Sequence, residues 1–176
     1  MIIFDTETTG LLVPGEKDHA KQPRIVEIAA IKVNDALEEI ARMESLVYPG
    51  CPLPTEAKGW YDITDAMLEG APTFPVVLKT HILPFWRGEE TVAAYNVEFD
   101  LGMLHWELVR LGWEYRFPYC HDVIDVIQWR AGRRISLDKW SVECLGADYT
   151  KQTHRAMGDV ERLLACMRKT KRSEPT

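Results

Sequence analysis

The chain has 176 residues and a formal net charge of −6, and 46% of its residues are hydrophobic while 27% are charged. This composition excludes collagen-like, low-complexity and disordered chains. The acidic balance argues against a protein that coats long duplexes with a basic surface, although clustered carboxylates for divalent cations would shift the charge the same way. A single domain over residues 1–170 is predicted, followed by a short basic and polar tail over residues 171–176.

The cysteines and the amino terminus bear on location. The four cysteines form neither a C-x-x-C pair nor the regular spacing of a disulfide framework or zinc site, which favours free thiols in a reducing compartment. The first residues, M-I-I-F-D, lack the basic region of a signal peptide. No apolar run reaches the length of about 18 residues that spans a membrane. We therefore expect a cytoplasmic protein without membrane contact.

The first half of the chain has strand patterns separated by loop sequences. A polar stretch over residues 13–24, which starts with V-P-G, is typical of a surface loop. The proline-rich residues 49–54 predict an extended connection, after which helical sequence resumes near Glu56. Apolar and β-branched runs predict buried strands at residues 2–5, 25–33 and 40–48.

The second half alternates between strand and helix. Residues 91–95 predict a strand, and residues 98–111 predict an amphipathic helix whose apolar stripe includes His105 as a core histidine. Further helices are predicted at residues 137–145, ended by Gly146, and at 156–169. This order predicts an α/β fold with a mixed central β-sheet flanked by helices.

Two acidic residues lie where the first strand ends. Asp5 and Glu7 are two residues apart, so the strand period places both side chains on the same face. Two neighbouring carboxylates repel each other, whereas a divalent cation requires oxygen ligands grouped in this way. The alternative is a solvated strand end with no ligand.

A third acidic residue lies at the junction of the fourth strand and its helix. Asp100 ends the sequence Y-N-V-E-F-D and precedes the core position Leu104 by four residues, so it should border the buried stripe. Alternatively, Asp100 is an ordinary first-turn acid favoured by the helix dipole, and Asn96 is an ordinary N-cap.

His154 and Asp159 flank the start of the last helix. On one continuous helix, side chains five residues apart diverge by roughly 140°. They converge better if His154 lies in a loop before the helix, and the polar sequence of residues 150–155 permits such a loop. The alternative for His154 is an exposed loop histidine.

Three motifs carry a family resemblance. F-D-T-E-T-T-G-L at residues 4–11, Y-N-V-E-F-D at 95–100 and H-R-A-M-G-D at 154–159 occur in the order and spacing of the three exonuclease motifs. The chain resembles the histidine-containing (DEDDh) branch of the DEDD superfamily of 3′-to-5′ exonucleases. This branch includes the epsilon proofreading subunit of bacterial DNA polymerase III and its phage relatives. The resemblance implies an RNase H-like fold.

The resemblance also implies a mechanism. Four carboxylates in one pocket raise each other's pKa values, and two divalent cations, Mg²⁺ or Mn²⁺, would cancel that charge. Asp5 would bridge the ions, His154 would be the general base, and the product would be a nucleoside 5′-monophosphate. The implied metal ligands are Asp5, Glu7, Asp100 and Asp159.

Contacts to the terminal nucleotide are likewise implied by the resemblance. The epsilon subunit also uses a Glu and, five residues later, a His; Glu56 matches the first, but Tyr61 stands at the second position. This departure concerns how the strand end is held. The other implied contacts are Thr6, Thr8, Leu11, Asn96 and Phe99.

The expected partner is a nucleic-acid 3′ end, chiefly single-stranded DNA, with a DNA polymerase as a second candidate. Two alternatives remain open: an exonuclease of RNA 3′ ends, and a catalytically weak module that binds nucleic acid or a polymerase. Two basic clusters are candidates for phosphate contact, although a solvated loop and a helix terminus matched to its dipole are the alternatives. They comprise Arg130, Arg133 and Arg134, and Arg168, Lys169, Lys171 and Arg172.

Overall fold

A computed structural model describes residues 1–55, 61–89, 91–113, 119–122, 135–146 and 155–172. Several sequence predictions fall outside these ranges. They are the helical sequence near Glu56, the loop that carries His154, and the basic cluster at residues 130–134.

The described part of the chain forms a mixed five-stranded sheet with strand order β3-β2-β1-β4-β5. β1 pairs antiparallel with β2 and β2 antiparallel with β3, whereas β1 with β4 and β4 with β5 are parallel. This sheet confirms the predicted α/β architecture. The strands are β1 (Ile2–Thr8), β2 (Ile25–Val33), β3 (Glu39–Leu46), β4 (Thr91–Ala94) and β5 (Tyr119–Asp122).

Six α-helical segments accompany the sheet in the described ranges. A π-helical turn at Leu78–Ile82 joins two of them, and a short 3-10 turn spans His19–Lys21. The helices are α1 (Asp65–Leu68), α2 (Phe74–Val77), α3 (Leu83–Trp86), α4 (Val97–Arg110), α5 (Leu137–Leu145) and α6 (Ala156–Arg172). No helix in these ranges is long and apolar enough to cross a membrane.

The sheet has a hydrophobic core on each face, and β1 contributes to both because its side chains alternate. Ile2 and Phe4 pack with β2, α4 and the helical segment of residues 74–86. Ile3 packs on the opposite face with α5 and α6. The period of two therefore directs Asp5 and Glu7 toward the face that α6 covers.

The pairing of β1 leaves its carboxyl end open on one side. β1 pairs with β4 only through Ile2 and Ile3 in the described part of the sheet, whereas its pairing with β2 extends to Thr8. Residues 5–8 therefore extend beyond the end of β4. The chain turns there into α4, and the space beside β1 is where the acidic residues meet.

The surface excursion between β1 and β2 is held against α4. The Nη2 group of Arg110 donates to the carbonyl oxygens of His19 and Gln22, each at 2.8 Å, and of Pro23 at 3.0 Å. Leu12 packs so closely on α4 that a Cβ at Gly102 would lie 2.6 Å from its Cδ1. The predicted loop is thus ordered by specific contacts.

One prediction about α4 is wrong: His105 is exposed and does not lie in the core. The buried face of the helix is centred on Asp100, Leu104 and Leu108 and includes Glu107. The next residue after Leu104 is rotated by about 100° from it, which takes His105 off that face. The predicted stripe had Asp100 at its border, but it did not include Glu107.

Candidate active site

Three carboxylates converge beside the carboxyl end of β1. Asp5 and Glu7 come from the strand, and Asp159 comes from the first turn of α6. One oxygen atom of each lies within 4.8 Å of the others. Because the three donors are all carboxylate oxygens, the group suits a hard divalent cation such as Mg²⁺ or Mn²⁺.

Asp100 joins this group from α4 and is fixed by β1. Its Oδ1 atom accepts hydrogen bonds from the backbone N–H of Thr6 at 3.0 Å and from the Thr6 hydroxyl at 2.7 Å. Thr6 faces away from Asp5 and Glu7 on the strand, so Asp100 approaches β1 from the other face. Thr6, which lies between Asp5 and Glu7 in the sequence D-T-E, therefore holds Asp100 in place beside the site.

The carboxylates line an open cleft of about 200 Å³. Phe99, in the first turn of α4, and Asn96, just before the helix, line the cleft with an aromatic and an amide side chain. The lining residues are Asp5, Thr6, Glu7, Tyr95, Asn96, Phe99, Asp100, Leu137 and Asp159. A cleft of this kind admits an extended ligand to the acidic group.

Burial and mutual repulsion raise the pKa values of these carboxyls. Burial raises the pKa of Glu7 to about 8, with contributions from Asp159, Glu27 and Asp100, while Arg155 opposes the shift. Burial raises the pKa of Asp100 to about 7 against the hydrogen bonds from Thr6.

The pKa of Asp5 is raised well above its ordinary value by burial and then by Asp100, Asp159 and Glu7. Bound positive charge would reverse these shifts.

Two arginines next to the acids, the buried Arg162 and the half-buried Arg155, were not predicted from the sequence. Arg162 forms ion pairs with Asp159 and with Asp138 at the start of α5. Arg155 pairs with the fully buried Glu27 of β2. The only sequence signal was an arginine on an apolar helix and an acid within the run I-V-E-I-A-A.

The residues predicted to hold the terminal nucleotide lie in different settings. Asn96 and Phe99 line the cleft, whereas the Thr8 hydroxyl donates to the carbonyl oxygen of Gly10. Leu11 is 72% exposed, and the Thr6 hydroxyl donates to Asp100. Their contacts to nucleic acid stay a prediction.

Tyr61 is buried, and its hydroxyl has no hydrogen-bond partner among the described residues. Burial raises the pKa of Tyr61 to about 12, and the charge of Glu7 contributes, which puts the phenol near the acidic group. Glu56 and His154 lie outside the described residues.

The basic residues at the end of α6 contact the protein itself. Arg168 donates to the carbonyl oxygen of Leu37 at 2.8 Å, and Lys171 donates to that of Asp35. Both carbonyls belong to the turn between β2 and β3. For these two side chains the helix-terminus interpretation fits better than a phosphate site.

The sequence matches the exonuclease family model (RNase_T) over residues 2–167, so the chain belongs to that family. The match confirms the resemblance to DEDD exonucleases.

Among curated relatives, the PolC-type DNA polymerase III of Staphylococcus haemolyticus is 31% identical over 163 residues, which cover 91% of this chain and 10% of the relative. The PolC-type enzyme of Listeria welshimeri is 33% identical over 112 residues, or 64% of this chain and 7% of the relative. The chain thus spans about a tenth or less of these relatives.

Solved structures share the fold. Exonuclease X in complex with 5′ overhanging duplex DNA has a TM-score of 0.69 at 24% identity, covering 99% of this chain and 93% of that one. The nuclease domain of 3′hExo, a DEDDh family member bound to rAMP, has a TM-score of 0.77 at 18% identity, covering 97% and 90%. These likenesses confirm the predicted RNase H-like exonuclease fold.

Proposed function

We propose that this chain is a metal-dependent 3′-to-5′ exonuclease that releases nucleoside 5′-monophosphates from DNA ends. The observation that carries the proposal is the convergence of Asp5, Glu7 and Asp159 within 4.8 Å in a chain of the exonuclease family. Asp100 adjoins them through Thr6. A nuclease that cuts phosphodiesters needs charge neutralisation at the scissile phosphate, and such a group of acids provides the ligands for it.

Asp5, Glu7, Asp100 and Asp159 would hold two divalent cations, Mg²⁺ or Mn²⁺. The fit rests on oxygen-only donors and on the raised pKa values of Asp5 and Glu7, which bound positive charge would lower. When bound, the cations would supply the positive charge that offsets the phosphoryl group under attack and promotes ionisation of the attacking water. Asp5 would be one of the ligands, since one of its oxygens lies within 4.8 Å of an oxygen of Glu7 and of an oxygen of Asp159.

His154 is the proposed general base. It directly precedes Arg155 and α6, and an imidazole titrates close to neutral pH, so it can accept a proton from the attacking water. The water oxygen forms a bond to phosphorus while the bond from phosphorus to the 3′ oxygen of the preceding nucleotide breaks. That 3′ oxygen takes up a proton, and the terminal nucleotide leaves with its 5′-phosphate.

The cleft would hold the strand end. Phe99 offers an aromatic face for base stacking, and Asn96 offers an amide for hydrogen bonding. Thr6, Thr8, Leu11, Glu56 and Tyr61 complete the proposed contacts. An open cleft beside the acids suits a single strand, which can bend its last nucleotide toward them.

DNA is the proposed substrate, because the relatives that cover 91% of this chain are DNA polymerases. Proofreading, or another role in DNA replication or repair, with a polymerase as partner, follows from the same relatives. RNA ends are the second candidate, since a structural neighbour was solved with rAMP and another is described as recognising the 3′ end of a histone mRNA stem-loop.

The proposal is tested with 5′-labelled single-stranded DNA and a matched RNA, each incubated with Mg²⁺, Mn²⁺ or EDTA. We expect a ladder that shortens from the 3′ end, is lost in EDTA, and is abolished by Asp5→Asn and His154→Ala. Glu161→Gln, on the exposed side of α6, serves as the control. Intact substrate in both metals would contradict the proposal and would favour a binding module.

A further inference from the structure

Glu27 is a carboxylate in the interior of the sheet. It lies on β2 directly opposite Glu7 of β1, and its exposed fraction is 0%. A buried carboxylate is strongly unfavourable unless its oxygens are paired and hydrogen-bonded. The neighbouring acids of the cleft increase that cost, because Glu27 lies next to Glu7 and like charges repel each other.

Among the described residues, the hydrogen-bond partners of Glu27 belong to the start of α6. The Nε group of Arg155 donates to its two oxygens at 2.9 and 3.0 Å, and the Nη2 group donates to Oε1. The backbone N–H of Ala156 donates to Oε2 at 2.9 Å. Both oxygens of Glu27 are therefore engaged by two consecutive residues.

Through these contacts Glu27, a residue of β2, caps the amino-terminal end of α6. The first N–H groups of a helix have no partner within the helix, and a Ser, Thr, Asn or Asp just before it usually accepts from one of them. The residue before Ala156 is Arg155, which cannot do so. Glu27 takes that function from β2 and so fixes where α6 begins.

We propose that Glu27 and Arg155 are positioning residues of the exonuclease site. Their ion pair anchors the first turn of α6 to the sheet, which sets Asp159 against Asp5 and Glu7 and fixes the point at which the chain leaves His154. The inference rests on the proposed function for its catalytic part. Neither residue needs to touch substrate or metal.

One turn of α6 links the Glu27–Arg155 ion pair to Asp159. Asp159 lies one turn into the helix, and its N–H donates to the carbonyl oxygen of Arg155 at 3.2 Å. A shift of Arg155 is therefore transmitted to Asp159 through a single helical turn. The outer face of α6 has a separate ion pair, in which Arg42 binds Glu161 at 2.8 Å on an exposed surface.

The test compares Glu27→Gln, Glu27→Leu and Arg155→Lys with the control Glu161→Gln. We would measure kcat and KM on 5′-labelled single-stranded DNA, Mn²⁺ binding by calorimetry, melting temperature, and hydrogen exchange of the amides of residues 156–159. All assays are run well below the lowest melting temperature, so that each variant is folded.

For Glu27→Leu we expect kcat to fall by about 100-fold with KM changed less than about threefold, because misplacement of catalytic groups affects chemistry more than binding. Mn²⁺ affinity should fall by about tenfold, as for other groups that orient metal ligands. Amide exchange at the start of α6 should accelerate. Glu27→Gln should fall between wild type and Glu27→Leu, since it keeps one acceptor, and Glu161→Gln should match wild type.

Two outcomes are distinguishable. If the wild-type protein degrades DNA and Glu27→Leu and Arg155→Lys retain both kcat and Mn²⁺ affinity, the positioning inference is overturned while the proposed function stands. If the wild-type protein degrades neither DNA nor RNA but binds Mn²⁺, and Glu27→Leu loses that affinity, the proposed function fails and the anchoring of Asp159 stands. A variant with faster amide exchange and unchanged Mn²⁺ affinity also overturns the inference.

Discussion

Thr6 binds Asp100 twice: its backbone N–H and its hydroxyl both donate to Oδ1, at 3.0 and 2.7 Å. The two bonds join the overhanging end of β1 to the first turn of α4. Since Asp5 and Glu7 flank Thr6 in the strand, the same residue that separates the two acids also sets the position of the third.

Thr6→Val removes the hydroxyl and keeps the backbone bond and the shape. A hydrogen bond to a charged group contributes about 1.5–3 kcal/mol, so at a pH above the Asp100 pKa of about 7 we expect the free energy of unfolding to fall by about that amount, with a loss in kcat because Asp100 is less well fixed. Urea denaturation and initial rates measure the two effects. Thr6→Ser, which keeps the hydroxyl, should remain close to wild type; equal losses in Ser and Val would show that the hydroxyl is not responsible.

The metal-free protein should become less stable as pH rises. Asp5, Glu7 and Asp100 have pKa values raised in the folded state, to about 8 for Glu7 and about 7 for Asp100. Their stabilising contribution is complete below the unfolded pKa of about 4 and is lost as pH rises through the folded values. In EDTA we expect the melting temperature to fall by about 5–10 °C between pH 5 and pH 9.

The same measurement with Mg²⁺ gives the control. Metal ligands must be deprotonated, so Mg²⁺ should raise the melting temperature more at pH 8 than at pH 6 and should flatten the pH dependence. Glu7→Gln should reduce the slope seen in EDTA. An identical slope in wild type and Glu7→Gln would contradict the assignment of the pH dependence to these carboxyls.

Arg162 stabilises the junction of α5 and α6. Its side chain is 4% exposed and pairs with Asp159 and Asp138. Arg162→Met keeps the apolar stem but removes the charge, and we expect a loss of about 1–3 kcal/mol in urea denaturation because the half-buried Asp159 loses a charged donor from the protein interior. Arg42→Met, at an exposed ion pair, should cost less than about 1 kcal/mol. Equal effects at both sites would argue against a special role for Arg162.

Tyr61 offers a test of the departure from the epsilon pattern. Its hydroxyl is buried near Glu7 and has no partner among the described residues, so Tyr61→Phe should leave the melting temperature unchanged or slightly higher. If the hydroxyl serves the strand end, KM for single-stranded DNA should rise several-fold while kcat changes little. An unchanged KM would remove Tyr61 from the proposed contacts.

The sequence was most informative where one period or one motif decides the structure. Strand period placed Asp5 and Glu7 on one face, and β2 was predicted with the bounds that the structure has, because most of its residues are β-branched or apolar. The start of α6 at Ala156 followed from the apolar stripe of the last helix. These features depend on local chemistry.

Other features depend on contacts between distant parts of the chain. No bounds were predicted for the helical segment of residues 74–86, which contains Pro75 and Pro84. Pro75 lies at a helix start, and a π-helical turn precedes Pro84, which has no N–H to donate. No strand was predicted at β5, which is only four residues long. Glu27 and Arg155 lie 128 residues apart, and no pattern in either neighbourhood reveals the other.

The direction of digestion is tested most directly with a single-stranded DNA that carries one label at its 5′ end and another in the phosphate of its 3′-terminal nucleotide. In Mg²⁺ we predict that the first turnover releases the 3′-terminal label as a nucleoside 5′-monophosphate and leaves the 5′ label on a strand one nucleotide shorter. EDTA and Asp5→Asn should prevent both. Release of the 5′ label first, internal cleavage, or activity that survives EDTA would contradict a metal-dependent 3′-to-5′ exonuclease.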